Sequence, residues 1–177
     1  LSLKSMKLSI SVLRSFLDFG EDNKYILCNP FDKFSVFLTG EVKERKVFSE
    51  EQVQLFLESI EMDDFIHVRD RSLFELMYGC GIRVNEAVNL NINDVDFDHN
   101  EVLILHGKGD KERIVPLCGK SYACMEIWLK HFRIKKTIGD VKALYVSRSG
   151  KRINRKVIER NFKGYLVKLN LDDEGFV

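Results

Sequence analysis

Apolar residues recur at helical spacing through most of the chain and at alternating spacing in one central stretch. Met6, Ile10, Leu13 and Leu17 share one face of a first helix, with Phe16 beside them and Gly20 as its expected stop. Asn29-Pro30 reads as a turn. Residues 40–46 (GEVKERK) are charged and hold no large apolar residue besides Val42, which marks a boundary. Ser49-Glu50-Glu51-Gln52 is a capping box, and Val53, Phe56, Leu57 and Ile60 follow it at i, i+3, i+4 and i+7. A third helix is expected from about Phe65 to Tyr78, ended by Gly79-Cys80-Gly81, and Arg83 opens a fourth.

The period then changes. Val95 and Phe97 alternate with aspartates, and Asp98-His99-Asn100 turns the chain. Val102 to Leu105 forms a second strand, His106 to Lys111 a glycine-rich turn, and Arg113 to Leu117 a third strand. Met125, Trp128, Leu129 and Phe132 define another helix, and Ala143 to Val146 a short edge strand. In the last helix Ile158, Phe162, Tyr165, Leu166 and Leu169 occupy one face, with Lys156, Arg160 and Lys163 opposite. The fold class expected is α+β, mainly α-helical with a small three-stranded antiparallel sheet.

Composition narrows the classes. With 177 residues, 45% hydrophobic and 31% charged, the chain suits one globular domain or one plus a fragment of another. Two prolines and 11 glycines exclude collagen-like architecture. No apolar run approaches the roughly 20 residues a membrane helix needs, and no signal-peptide pattern opens the chain, so a cytoplasmic protein without membrane contact is expected. Cys28, Cys80, Cys118 and Cys124 form no CxxC pair and are expected as reduced, buried thiols. His67, His99, His106 and His131 show no mutual metal-ligand spacing. The net charge of +1 hides segregation, because Arg148, Lys151, Arg152, Arg155, Lys156, Arg160 and Lys163 cluster near the carboxy-terminal end.

Two cations stand where phosphate chemistry could use them. Arg83 follows Gly81-Ile82 at a helix start, and Lys108 sits between two glycines at a hairpin tip. Cleaving a phosphodiester without a metal needs guanidinium groups on the non-bridging oxygens and a proton donor for the leaving oxygen.

Those residues carry a resemblance. Residues 78–90 (YGCGIRVNEAVNL) resemble the first signature box of the tyrosine recombinases, the Xer-type and phage-type integrases. Residues 107–113 (GKGDKER), followed by hydrophobes and Pro116-Leu117, resemble the hairpin of their catalytic lysine. The resemblance extends over about residues 47–175 and more loosely over 3–34. It implies that Arg83 binds the scissile phosphate, Lys108 protonates the leaving 5′ hydroxyl and Glu86 buttresses the Arg83 helix. It implies no metal or other cofactor, a double-stranded DNA recombination site as partner, and further recombinase subunits, four on DNA in the intact form. Residues 1–40 then read as the remnant of a helical DNA-clamping domain, 41–46 as a linker and 47–177 as an incomplete catalytic domain.

The sequence also departs from the family. No histidine is followed three residues on by arginine, and the tyrosine nucleophile that lies beyond an H-x-x-R box has no counterpart. Tyr165 falls on an apolar helix face and reads as core. This chain alone is therefore expected not to cleave DNA. A non-catalytic DNA-binding remnant or a complementing fragment is the alternative. The basic cluster, with Lys111 and Arg113, is expected to contact phosphates or the major groove. The apolar side of the Ile158–Leu169 helix is expected to lie bare or against another copy.

Overall fold

Short polar side chains start the helices where the sequence places them. In the computed structural model, residues 3–33, 47–105, 112–117, 119–135 and 142–171 are described. The chain divides into two compact units, Leu1–Glu44 and Arg45–Val177.

The first unit holds α1 (Leu3–Asp22) and a 3-10 turn at Pro30–Lys33. Gly20 does not stop α1, which runs two residues further. Its end is set by Asn23, whose side-chain amide donates to the Phe19 carbonyl, and by Lys24 at φ 61. The Asn29-Pro30 turn is present: Asn29 Oδ1 accepts from the Phe31 amide, and the Asn29 amide donates to Glu21.

In the second unit, Ser49 caps α2 (Glu50–Glu58) in the expected box: its Oγ accepts from the Gln52 amide and Gln52 Oε1 from the Ser49 amide. Asp64 caps α3 (Phe65–Cys80) by accepting from the His67 amide at 2.7 Å. Gly81, at φ 62 and ψ 30, closes α3 in the left-handed conformation that a glycine adopts without strain. The short α4 (Val84–Asn89) follows.

Strands β1 (Val95–Asp96), β2 (Glu101–Ile104) and β3 (Arg113–Pro116) form an antiparallel sheet in the order β1-β2-β3. Val102 pairs with Val95 on one side and Val115 on the other, and Ile104 pairs with Arg113. β1 is shorter than the alternation of Asp94, Asp96 and Asp98 suggested. The Asp96 carboxylate accepts from the Asp98 and His99 amides and so bends the chain out of the strand. Helix α5 (Gly119–Ile127) passes into a π-helical turn at Trp128–Arg133. Helix α6 (Arg155–Lys168) starts at Asn154, whose side chain accepts from the Lys156 amide. The fold is α+β, mainly helical around this small sheet.

Ala143 to Val146 differ most from expectation. They are fully buried and form only isolated bridges, Asn91 to Ala143 and Val146 to Arg152. Side chains take the place of a ladder. Arg133 Nε donates to the Ala143 carbonyl, Trp128 Nε1 to that of Leu144 and Arg69 Nη1 to that of Val146. A strand edge would leave those carbonyls to water; here the core satisfies them.

Most of the apolar side of α6 packs within the chain rather than lying bare as expected, with Phe162 and Leu169 left half-buried. Ile158, Tyr165 and Leu166 are buried, and Phe56 of α2 meets the rings of Phe74, Phe162 and Tyr165 at 5.2, 5.1 and 6.2 Å. Such tilted and edge-on contacts add to burial. Of the thiols, Cys124 is buried, Cys80 is half-buried with Sγ toward the Pro116 carbonyl, and Cys28 is exposed rather than buried. Cys118 lies outside the described residues.

Candidate active site

The turn between α3 and α4 aims Arg83. Gly81 reverses the chain, Ile82 is driven into the core, and Arg83 becomes the extended residue before α4, at φ −79 and ψ 153. Glu86 stands three residues on, within the first turn of α4, so its carboxylate reaches back to the helix start. Its Oε2 accepts from the Arg83 amide at 2.8 Å and its Oε1 from Arg83 Nη1 at 3.1 Å. The Glu86 side chain is 4% exposed and that of Arg83 61%. A buried anion thus holds a displayed cation from behind.

A second arginine arrives from the sheet. Arg113, the first residue of β3, places Nη1 on Glu86 Oε1 at 3.0 Å and Nη2 on Oε2 at 2.8 Å. The Arg113 fork, more than any other neighbour, holds the Glu86 carboxyl well below the usual carboxylate range, at about 2. Glu86 is therefore an anion at any physiological pH. Spacing showed the Arg83–Glu86 relation, three residues apart on a helix. Nothing local pointed from position 86 to position 113.

The other expected site residues scatter. Lys108 and Lys111 lie outside the described residues. Arg152 turns inward, donating Nη1 to the carbonyls of Val88 and Leu90 and Nη2 to Asn91 Oδ1. Arg148 pairs with Asp64 at 3.3 Å and Arg155 with Glu159 at 2.6 Å. Lys151, Lys156, Arg160 and Lys163 are exposed and make no ion pair among the described residues. Lys156, Arg160 and Lys163 follow at i, i+4 and i+7, one outward face of α6.

Sequence reasoning missed a buried hub. Asp70, fully buried in α3, takes Arg69 Nε and Nη2 on Oδ1 and Asn161 Nδ2 and the Tyr165 hydroxyl on Oδ2. The available signal was an Arg-Asp pair inside an otherwise apolar helical stretch. Asp63, Asp64 and His67 bring three ligand atoms within 4.8 Å of one another. Those groups already serve each other: His67 Nδ1 lies 2.6 Å from Asp63, and Asp64 caps α3 while pairing with Arg148.

Among known proteins, the model of the phage integrase family matches residues 46–175. The chain belongs to the phage integrase family of tyrosine recombinases. The tyrosine recombinase XerC of Proteus mirabilis is 35% identical over 170 residues, spanning 94% of this chain and 53% of the relative. XerC of Chlamydia muridarum is 33% identical over 171 residues, 96% of this chain and 53% of the relative. The chain thus spans about half the length of the curated relatives it matches. A solved XerH site-specific recombinase, bound to palindromic difH substrate in a post-cleavage complex, superposes with a TM-score of 0.60 at 26% identity, over 78% of this chain and 40% of its own. The Tn1549 transposon integrase in complex with transposon right end DNA shares the fold, with a TM-score of 0.74 at 20% identity, over 96% of this chain and 59% of its own. Among the described residues no helix is long and apolar enough to cross a membrane.

Proposed function

We propose that this chain is part of a site-specific recombinase or integrase that exchanges strands of double-stranded DNA through a 3′-phosphotyrosine, without a metal. The observation that carries this reading is the mounting of Arg83. Its amide and Nη1 are spent on buried Glu86, while the rest of the guanidinium faces outward. Held that way, the group keeps donors for the non-bridging oxygens of a phosphodiester and stabilises the charge that develops there. Lys108, in the segment joining β2 to β3, is the proton donor to the leaving 5′ hydroxyl. The DNA-bound states of the XerH and Tn1549 relatives support duplex DNA as the partner.

Lys151, Lys156, Arg160 and Lys163 are the backbone contacts of this reading, with Lys111 beside the hairpin. Arg148 and Arg155 join them by exchanging a surface carboxylate for a phosphate, a change that costs little at exposed ion pairs. The H-x-x-R box and the nucleophile are supplied from outside these 177 residues, in the same protein or in a complementing piece, and further subunits assemble on paired sites.

A nicked suicide duplex tests this on a denaturing gel. The chain alone is expected to bind it with strong salt dependence and no covalent adduct. Adding a carboxy-terminal piece that carries the H-x-x-R box and the tyrosine is expected to yield an adduct, abolished by Arg83→Ala. Binding without capture in both cases leaves a non-catalytic DNA-binding module. Absence of binding at low salt sinks the reading.

A further inference from the structure

Glu86 is shared by two arginines. Each of its oxygens takes one donor from Arg83 and one from Arg113, but the two arginines are not alike. Arg113 offers a two-pronged fork at 3.0 and 2.8 Å, whereas Arg83 gives only one guanidinium nitrogen, at 3.1 Å, the longest of the four contacts. Arg113 is also the less exposed cation, 34% against 61%.

We infer that Arg113 is a positioning residue rather than a DNA contact: by saturating Glu86 it keeps the Arg83 guanidinium from folding down onto that carboxylate. The inference rests on the reading of Arg83 as the phosphate-binding group. A carboxylate beside an arginine normally draws a bidentate pair, which aligns both N–H prongs with its oxygens. Were Arg113 absent, Glu86 would be free to rotate and accept Arg83 in that way. The cation would then be spent before any phosphate arrived. With Arg113 in place, Glu86 retains one contact to the Arg83 side chain and one to its amide, enough to aim the group and too few to capture it. The low carboxyl value of Glu86 agrees, since the Arg113 fork is its largest cause.

The position of Arg113 adds a second consequence. It opens β3 opposite Ile104, the last residue of β2, so it stands at the base of the connection that contains Lys108. The same side chain ties that base to the helix that Arg83 begins. Arg83 and the foot of the Lys108 segment are thereby held in one frame through a single buried anion.

A double-mutant cycle tests this on the whole chain with a short fluorescein-labelled duplex at low salt. Arg113→Met is expected to weaken binding about five- to tenfold, and no more than about twofold in an Arg83→Ala background, because its effect runs through Arg83. Equal losses in both backgrounds, with a salt slope reduced by about one, would make Arg113 a direct phosphate contact and overturn the inference. Arg113→Lys keeps the charge and loses the fork, so it is expected to retain most of the defect; full rescue also overturns the inference. A DNA-free readout separates this from the functional reading. In nitrogen-15 spectra the Arg83 guanidinium resonances are expected to move in Arg113→Met and Arg113→Lys. If Arg83→Ala leaves DNA binding unchanged, the functional reading fails and those resonances alone decide: a shift upholds the positioning role, and unmoved resonances refute it.

Discussion

The Tyr165 hydroxyl donates to Asp70 Oδ2 at 3.1 Å, inside the core between α6 and α3. A tyrosine so placed packs and anchors. Burial, then the Asp70 charge, pushes its phenol above the ordinary range. Tyr165→Phe is expected to cost about 1 kcal/mol in urea unfolding and to leave DNA binding unchanged. A loss of DNA binding out of proportion to the stability change would contradict this placement.

The Asp70 hub itself carries more. Arg69 is 2% exposed, and Asp70 is its carboxylate partner. Asp70→Ala strands a buried guanidinium, and the expected loss is about 3–5 kcal/mol. Asn161→Ala removes one neutral donor to that carboxylate and is expected to cost about 1–2 kcal/mol. Thermal unfolding of the two variants ranks them, and equal losses would show that the charge pair is not the costly part.

Glu86 predicts an acid limit. Its folded value of about 2 lies below the ordinary 4.5, so below pH 4.5 the unfolded chain binds more protons. The stabilisation is fully present above pH 4.5 and is lost as pH falls from 4.5 toward 2. A shift of that size corresponds to about 3 kcal/mol. Urea unfolding across this range, compared with Glu86→Gln, should show the wild-type advantage shrinking toward acid. A constant difference would remove Arg113 and Arg83 as the cause.

Gly79, exposed near the end of α3, faces Ser121 of α5 on one side. A Cβ there would collide with the Ser121 hydroxyl, which donates to the Glu75 carbonyl at 2.7 Å. Gly79→Ala gains about 1 kcal/mol of helix propensity but forces Ser121 from its bond, so a net loss of about 1–2 kcal/mol is expected. Adding Ser121→Ala should recover part of it. A stabilised single variant would show that Ser121 swings aside freely.

Local chemistry made several features legible. The Ser49–Gln52 box, the Gly81 stop and the strand expected at Val102 to Leu105, found at Glu101–Ile104, all appear because each depends on residues a few positions apart. The errors differ in cause, one local and the other long-range. Gly20 failed as a stop because Asn23 ends α1, and the 143–146 segment looked like an edge because its partners, Arg69, Trp128 and Arg133, are remote in sequence. The partners of Arg152 and Arg113 were hidden for the same reason, lying 61 to 64 and 27 positions away. Charge can be counted along a chain, but whether it meets water or a carbonyl cannot.

By itself the sequence determined the helical periods, the small meander, the family motif and the adjacency of Arg83 and Glu86, since these arise within one or two turns of backbone. Only the tertiary structure decided that Arg113 shares Glu86 across 27 positions and that Asp70 gathers Asn161 and Tyr165 from 91 and 95 positions away. Buried charges must find partners wherever packing brings donors, and packing is a property of the assembled core rather than of any local stretch.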